Sequence, residues 1–216
     1  MKINPFVVFL TFVSLVGLFL LYEDIPQQIP MQWDLDGEVN YYGSKAFLWL
    51  LASLGMLIHL LLLLFQRIDP KKANYEKHIK VFNILNVVLP MFLTALFWFT
   101  VLWSLGIGLS VTLFVKLGLG LVITILGNYM GKVRQTFLFG VRTPWTLADE
   151  EVWDKTHRLA GWTMFFSGLL MMLMSFWEAP WSFWVGISSI VMGVIIPVVY
   201  SYLIFQAKKA KGQNAL

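Results

Sequence analysis

Six long apolar stretches, separated by polar and charged segments, organise the chain. They run from about Phe6 to Tyr22, Ala46 to Phe65, Val81 to Trp103, Ser110 to Leu126, Leu159 to Trp177 and Trp181 to Phe205. A helix needs about 20 apolar residues to cross a ~30 Å hydrocarbon layer, so each block reads as a membrane span. The first is short and has to rely on its flanking residues. Isolated strands would leave backbone groups unpaired in lipid, which selects helix throughout. The expected fold class is all-α and polytopic: one domain of six transmembrane helices over residues 1–216. It carries an ordered outer loop at 23–45 and an inner segment at 128–158 with an amphipathic helix. Lys2 ahead of block one resembles the start of a signal peptide. No small-x-small site follows Leu21, and Glu23, Asp24 and two prolines come next, so an uncleaved span is expected.

Composition agrees with this pattern. The chain is 58% hydrophobic and only 13% charged, against roughly 25% charge in a soluble domain. It has no cysteine, which excludes disulfides, thiolate chemistry and cysteine-ligated zinc. The net charge of +4 gives no support for a nucleic-acid partner, because the bases cluster beside apolar blocks. Five acids and Lys45 fill the loop from Glu23 to Lys45. Arg67, Lys71, Lys72, Lys77 and Lys80 follow span two, and Lys132, Arg134, Arg142, Lys155 and Arg158 follow span four. Lys208, Lys209 and Lys211 form the tail, whereas the turns at Trp103 to Leu109 and Glu178 to Pro180 hold no base. Bases alternate from side to side, so the positive-inside rule places both termini in the cytoplasm of a multi-pass protein. Trp98, Trp103, Trp177, Trp181 and Trp184 fall near the outer ends of spans, where interfacial anchoring is the ordinary role of tryptophan.

The outer loop carries turn signals at Asp36-Gly37 and from Asn40 to Gly43, and ahead of them Pro26 and Pro30 hold the chain extended. A short hairpin or Ω-shaped cap is expected, with Trp33, Tyr41 and Tyr42 on the membrane surface and Ser44 capping span two. Asp34, Asp36 and Glu38 alternate like the start of a calcium loop, but the later acidic position does not follow. No metal is expected. Two readings of the acids stand: a solvated surface, and a surface that attracts a cationic or amphipathic peptide.

In the inner segment, Lys132 and Arg134 suit anionic lipid head groups, with Phe137 to Phe139 in the interface. Pro144 biases Thr143 away from helix. Thr146 reads as an N-cap ahead of Asp149 and Glu150, so a helix is expected from about Leu147 toward Arg158 and on into span five. On it, Glu151–Lys155 and Asp154–Arg158 are acid-to-base pairs four apart. Asp154 and His157 are three apart and share a face. That pair reads as a structural anchor, a ligand contact or an acid–base couple. Arg142 is expected to pair with one of the acids.

The run GNYMGKVRQTFLFGVRTPWTLADEEVWDKTHRLAG closely resembles the signature of the SdpI family of bacterial membrane immunity proteins. The resemblance rests on Asn128, Gly131, Gly140, Arg142, Thr143, Pro144, Trp145, Thr146, Trp153, His157 and Arg158. Pro30, Trp33, Asp34, Gly37, Gly43, Ser44 and Lys45 resemble the domain commonly found ahead of that signature. Gln32 stands where that pattern usually has His, and glutamine neither titrates nor serves as a typical metal ligand. The resemblance implies a bacterial cell-membrane location and protection against a secreted, membrane-active peptide toxin of amphipathic or cationic character. It also implies a second partner, a cytoplasmic autorepressor held at the membrane when toxin is bound. It implies no cofactor.

Within the spans, His59 reads as a structural hydrogen bond, a ligand contact or a proton carrier. Lys116 reads as a snorkelling side chain, a buried structural partner or a ligand contact. Asn83 and Asn86 share a face of span three and are expected to join helices. Pro90 and Pro197 are candidate kinks. Met164, Met171, Met172 and Met174 are either ordinary packing or an adaptable groove. A proton-coupled exporter is the competing function, but no acid lies centrally in a span. Enzyme activity has weaker support, since neither HExxH nor GxSxG occurs.

Overall fold

A computed structural model gives the protein's fold and describes residues 2–34, 36–77, 79–137, 139–177 and 180–213. Of the expected elements, positions 178 and 179 of the Glu178 to Pro180 turn lie outside the described residues, as do the side chains of Lys77 and Lys80. The chain forms α1 (Pro5–Leu21), a hairpin of β1 (Gln28–Trp33) and β2 (Val39–Ser44), α2 (Phe47–Ile68), α3 (Ala73–Lys77) and α4 (Ile79–Ser104). It continues through α5 (Val111–Met130), α6 (Pro144–Ala148), α7 (Glu150–Leu173) with a 3₁₀ turn at Met174–Phe176, and α8 (Pro180–Gln213). Among the described residues, five helices are long and apolar enough to cross a membrane: Phe47–Ile68, Val81–Ser104, Val111–Met130, Glu150–Phe176 and Pro180–Lys211. The first apolar block is a helix of 17 residues, about 25 Å long. Asn4 caps it by accepting the amide of Phe6, and Pro5 stands at its first position.

The helices pack as two groups. In the first, α1, α2 and α4 enclose a core with the hairpin: Leu18, Ile25, Ile29, Leu48, Ala52, Phe97 and Val101. In the second, α7 lies between α5 and α8. Small residues set that second group. Gly120 and Gly127 on α5 meet Gly168 and Gly161 on α7 in antiparallel order. A Cβ on Gly120 would stand 2.8 Å from the carbonyl oxygen of Gly168, and one on Gly161 3.0 Å from that of Gly127. Without hydrophobic pressure from water, helices in lipid associate by such close backbone approach. The α7–α8 contact uses serines as well. Ser167 donates to the carbonyl of Ser189 at 2.6 Å, Ser189 returns a bond to that of Ser167 at 3.2 Å, and Thr163 donates to that of Gly193 at 2.8 Å. Met171 and Met172 fill the spaces over Gly186 and Gly120, so this methionine pair packs helices rather than lining an open groove.

Several expectations need correction. Thr146 is not an N-cap. Thr143 caps the separate short helix α6, and Asp149 caps α7 by accepting the amides of Glu151 and Val152. The proline fixes the start of α6 at Thr143, and the Asp149 carboxylate outcompetes continuation of the helix. Ala46 occupies the N-cap position of α2, and the Ser44 hydroxyl accepts only the Ala46 amide, at 3.3 Å. Trp98 lies against Gly17 between α1 and α4 and donates to Ser14 at 3.1 Å, whereas Trp177, Trp181 and Trp184 are exposed. Phe139 turns inward onto Phe82, while Phe137 remains exposed.

Candidate functional site

The signature segment folds into a hub beside the start of α4 and the last turns of α8. Thr143 and Thr146 form a reciprocal capping box around Pro144: the Thr143 amide donates to the Thr146 hydroxyl at 2.9 Å, and the Thr146 amide to the Thr143 hydroxyl at 3.3 Å. Trp145 leaves this turn toward α8, donating to the Ser201 hydroxyl at 2.5 Å and meeting Tyr202 edge to face. Trp153 is wholly buried, and its indole donates to the Val133 carbonyl at 2.9 Å.

His157 stacks on Trp153 with ring centres 3.9 Å apart. Its Nε2 accepts the Val141 amide at 2.9 Å, so its proton sits on Nδ1, which donates to the Trp153 carbonyl at 2.9 Å. Both ring nitrogens are committed to backbone, and Asp154 is not its partner. Gly140 makes the stack fit. Its φ of +108° suits glycine, and a Cβ there would run into His157 Nε2 and the Trp153 ring.

A second loop closes the hub from below. Asp69 is buried at 1% exposure and accepts from the Lys71 amide at 2.7 Å, the Tyr75 hydroxyl at 2.8 Å and the Phe137 amide at 2.9 Å. Burial, and then the bond to Asp69, raises the Tyr75 hydroxyl above its usual range. Gln135 donates to the Thr146 and Leu147 carbonyls and accepts from Lys71, while its own carbonyl takes Asn74 at 2.7 Å. Asp69 and Gln135 were not among the sequence candidates. An acid preceding Pro70 in an otherwise basic loop was the only available signal. Tyr75, Val81, Phe82, Leu85, Val133 and Trp153 supply the apolar support.

The hub's rim is charged. Asp154 pairs with Arg134 at 3.1 Å instead of Arg158, because Arg134 comes from the facing loop while Arg158 points outward. Glu151 pairs with Lys155 at 2.7 Å as its spacing predicts. Lys208 of the tail reaches Asp149 at 2.6 Å and Glu151 at 2.9 Å. The hydrogen bond from Lys208 is the main cause that holds the Asp149 carboxyl below its usual range. Arg142 makes no ion pair among the described residues; it donates to the Phe137 carbonyl at 2.8 Å. Asn128 is exposed on α5, outside the hub.

The remaining candidates lie elsewhere. His59 accepts the Asn4 amide at 3.1 Å and, protonated on Nδ1, donates to the Asn86 carbonyl at 3.0 Å, fixing the start of α1 against α2 and α4. Asn86 also exchanges two hydrogen bonds with Gln66, while Asn83 lines a cleft with Lys2 and Asn4. Lys116 does not snorkel. It is fully buried, and its ammonium donates to the Trp177 carbonyl at 2.8 Å and to the Ser182 hydroxyl in the first turn of α8 at 2.6 Å.

At the hairpin end, Lys45 is buried under Tyr22 and donates to the carbonyls of Tyr22 at 2.8 Å and Ile25 at 3.0 Å, locking the hairpin to α1. Asp34 accepts the amides of Asp36 and Glu38, which builds the hairpin turn around Gly37 at φ +88°. Trp33 is not spread on the surface; it packs edge to face on Phe99 and Trp103 of α4. No group of three or more His, Cys, Asp or Glu suited to a metal ion occurs among the described residues.

Between the two helix groups, α4 and α5 diverge around a groove of about 520 Å³. Met91, Phe92, Ala95 and Phe99 form one wall, and Leu113, Leu117, Leu121 and Ile125 the other.

Long apolar helices in two groups, each with polar ends, define a polytopic helical membrane protein. Residues 132–201 match the SdpI/YfhL protein family, and residues 9–56 match a domain of unknown function, DUF1648. The first match covers the signature part of the hub and most of α8, and the second covers most of α1, the hairpin and the start of α2. The chain is similar to "Immunity protein SdpI" of Bacillus subtilis (strain 168), at 28% identity over 99% of this chain and 100% of that protein. No solved structure matches it significantly.

Proposed function

We propose that this protein protects the cell that makes it against a secreted, membrane-active peptide, and does so from within the cell membrane. The single observation that carries the reading is end-to-end similarity to an immunity protein, with both matched regions in order along the chain. In this reading α1 is a sixth span. The bases place both termini and the hub in the cytoplasm, and the hairpin faces outward. Protection works by holding the peptide at the outer leaflet before it perforates the bilayer. The exposed rim around Arg134, Arg142 and Asp154 supports a further step, recruitment of a cytoplasmic autorepressor once peptide is bound.

The test is survival. A sensitive bacterium expressing the chain is challenged with the mature peptide encoded beside its gene. Survival at doses that kill the empty-vector strain is expected, and equal killing of both strains refutes immunity. The chain has no cysteine, so single cysteines report topology without background. Asp36→Cys should label with an impermeant maleimide in intact cells, and Lys155→Cys only after lysis. The reverse pattern overturns the orientation.

A further inference from the structure

The α4–α5 groove is a large apolar opening, and the hairpin turn lies at one end of it. Ser110 caps α5 there, and the hairpin turn hangs over the first turn of the helix: a Cβ on Gly37 would lie 3.8 Å from the Thr112 hydroxyl. The turn carries Asp34, Asp36 and Glu38, all exposed. From Trp33 an aromatic file descends into the groove. Trp33 meets Phe99 at 5.9 Å, Phe99 stacks on Phe114 at 4.4 Å, and Phe114 faces Phe92 at 6.3 Å. The Trp33 indole N–H is buried and finds no acceptor among the described residues. The groove extends from Leu109 to Ile125, including about 21 Å of α5 from Val111, so its length matches a large part of a bilayer. The walls of this groove and of the apolar cleft between α7 and α8, about 390 Å³, hold no charged residue; the charge at the groove comes from the turn over its end.

An apolar trough with an acidic lip is complementary to one kind of occupant. Lipid tails would fill the trough but gain nothing from three carboxylates. An apolar helix with a cationic end satisfies both, its body lying on the α4–α5 walls and its charge under the turn. We infer that the α4–α5 groove seats a single apolar peptide helix, with the peptide's cationic end beneath Asp36 and Glu38. This rests on the immunity reading and supplies its binding site. Asp34 belongs to the turn itself, since its carboxylate holds two amides, so the charge selection falls to Asp36 and Glu38.

The probe is a synthetic helix of about 20 leucines and alanines, with a lysine pair and a fluorophore at one end. A matched probe carries glutamates instead. Binding is measured to the full chain in phosphatidylcholine nanodiscs. The lysine probe should bind saturably and the glutamate probe much more weakly. Ala95→Trp, which fills the trough at an exposed wall position, should weaken the lysine probe at least ~10-fold. Leu121→Trp repeats that test at a second exposed wall position if Ala95→Trp does not fold. Asp36→Asn with Glu38→Gln should weaken it ~3–10-fold at low salt, with the difference vanishing near ~1 M salt. Trp162→Ala in the other cleft should change nothing.

Absence of saturable binding to the wild-type chain, or binding indifferent to both tryptophan variants, overturns the groove. Equal affinity for the two probes overturns the role of the lip. Survival assays separate this from the broader reading. A groove-filled variant that still protects cells removes the groove but leaves immunity standing, whereas a wild-type chain that protects nothing removes immunity whatever the probe does.

Discussion

The glycine contacts between α5 and α7 yield a prediction whose sign changes along one interface. A Cβ at Gly168 would stand 2.5 Å from the Thr124 amide nitrogen and 2.6 Å from the Gly120 carbonyl oxygen. Ordinary contact distances are ~3.5 Å or more, so the helices must part by about 1 Å, and a gap of that size forfeits a quarter to a half of each dispersion contact. Overpacking of this kind costs ~1–3 kcal/mol, offset by the ~1 kcal/mol advantage of alanine over glycine in a helix. Gly168→Ala should therefore lose up to about 2 kcal/mol. Gly120→Ala should behave alike, because its Cβ would meet the Gly168 carbonyl at 2.8 Å.

Gly131 closes α5 at φ −67°, and its Cβ would find nothing nearer than 3.5 Å. Gly131→Ala should thus stabilise by ~0.4–1 kcal/mol through the unfolded chain. The assay is thermal unfolding of purified protein in one detergent, followed by tryptophan fluorescence. For a chain of this size, 1 kcal/mol corresponds to ~2–4 °C. Gly168→Ala and Gly131→Ala should move Tm in opposite directions. If Gly168→Ala is as stable as Gly131→Ala, close glycine packing does not hold α5 to α7.

Three further outcomes test the hub. Trp153→Ala opens a buried space and frees the Val133 carbonyl, so it should cost ~3–5 kcal/mol and expose the 131–148 loop to protease. Tyr75→Phe removes one of the donors held by the buried Asp69 carboxylate and should cost ~1.5–3 kcal/mol, read as a lowered Tm with unchanged helix content by circular dichroism. The tail contact depends on pH. Asp149 has a lowered folded pKa, so its contribution is present above the unfolded value of ~4 and is lost as pH falls through the folded value. Spin labels at Lys211→Cys should be immobilised at neutral pH and mobile in strong acid, and the double variant Asp149→Asn with Glu151→Gln should be mobile at both. A tail equally ordered in that double variant would refute the role of these pairs.

Much of the architecture is written in local pattern. The apolar blocks fall within a few residues of the helices, because burial in lipid demands length and hydrophobicity, which any window of sequence displays. The turn at Asp36-Gly37 and the break at Thr143-Pro144 are equally local, since φ restrictions and side-chain caps act within a few residues. The long signature holds part of the hub, including Thr143, Trp145, Thr146, Trp153 and His157.

Tertiary structure decided the partners. Spacing along one helix offered Arg158 and His157 to Asp154, but the facing loop delivered Arg134, and the Val141 amide took the histidine. Lys116 looked free to snorkel until the Trp177 carbonyl and the Ser182 hydroxyl took its ammonium. Asp69 became a buried acceptor only when two loops distant in sequence came together. Gly120, Gly127, Gly161 and Gly168 gave no local signal of pairing, since their value lies in the backbone of another helix. A side chain's neighbours along the chain set its conformational choices, whereas the register between helices, fixed by close packing over their whole length, sets which groups meet.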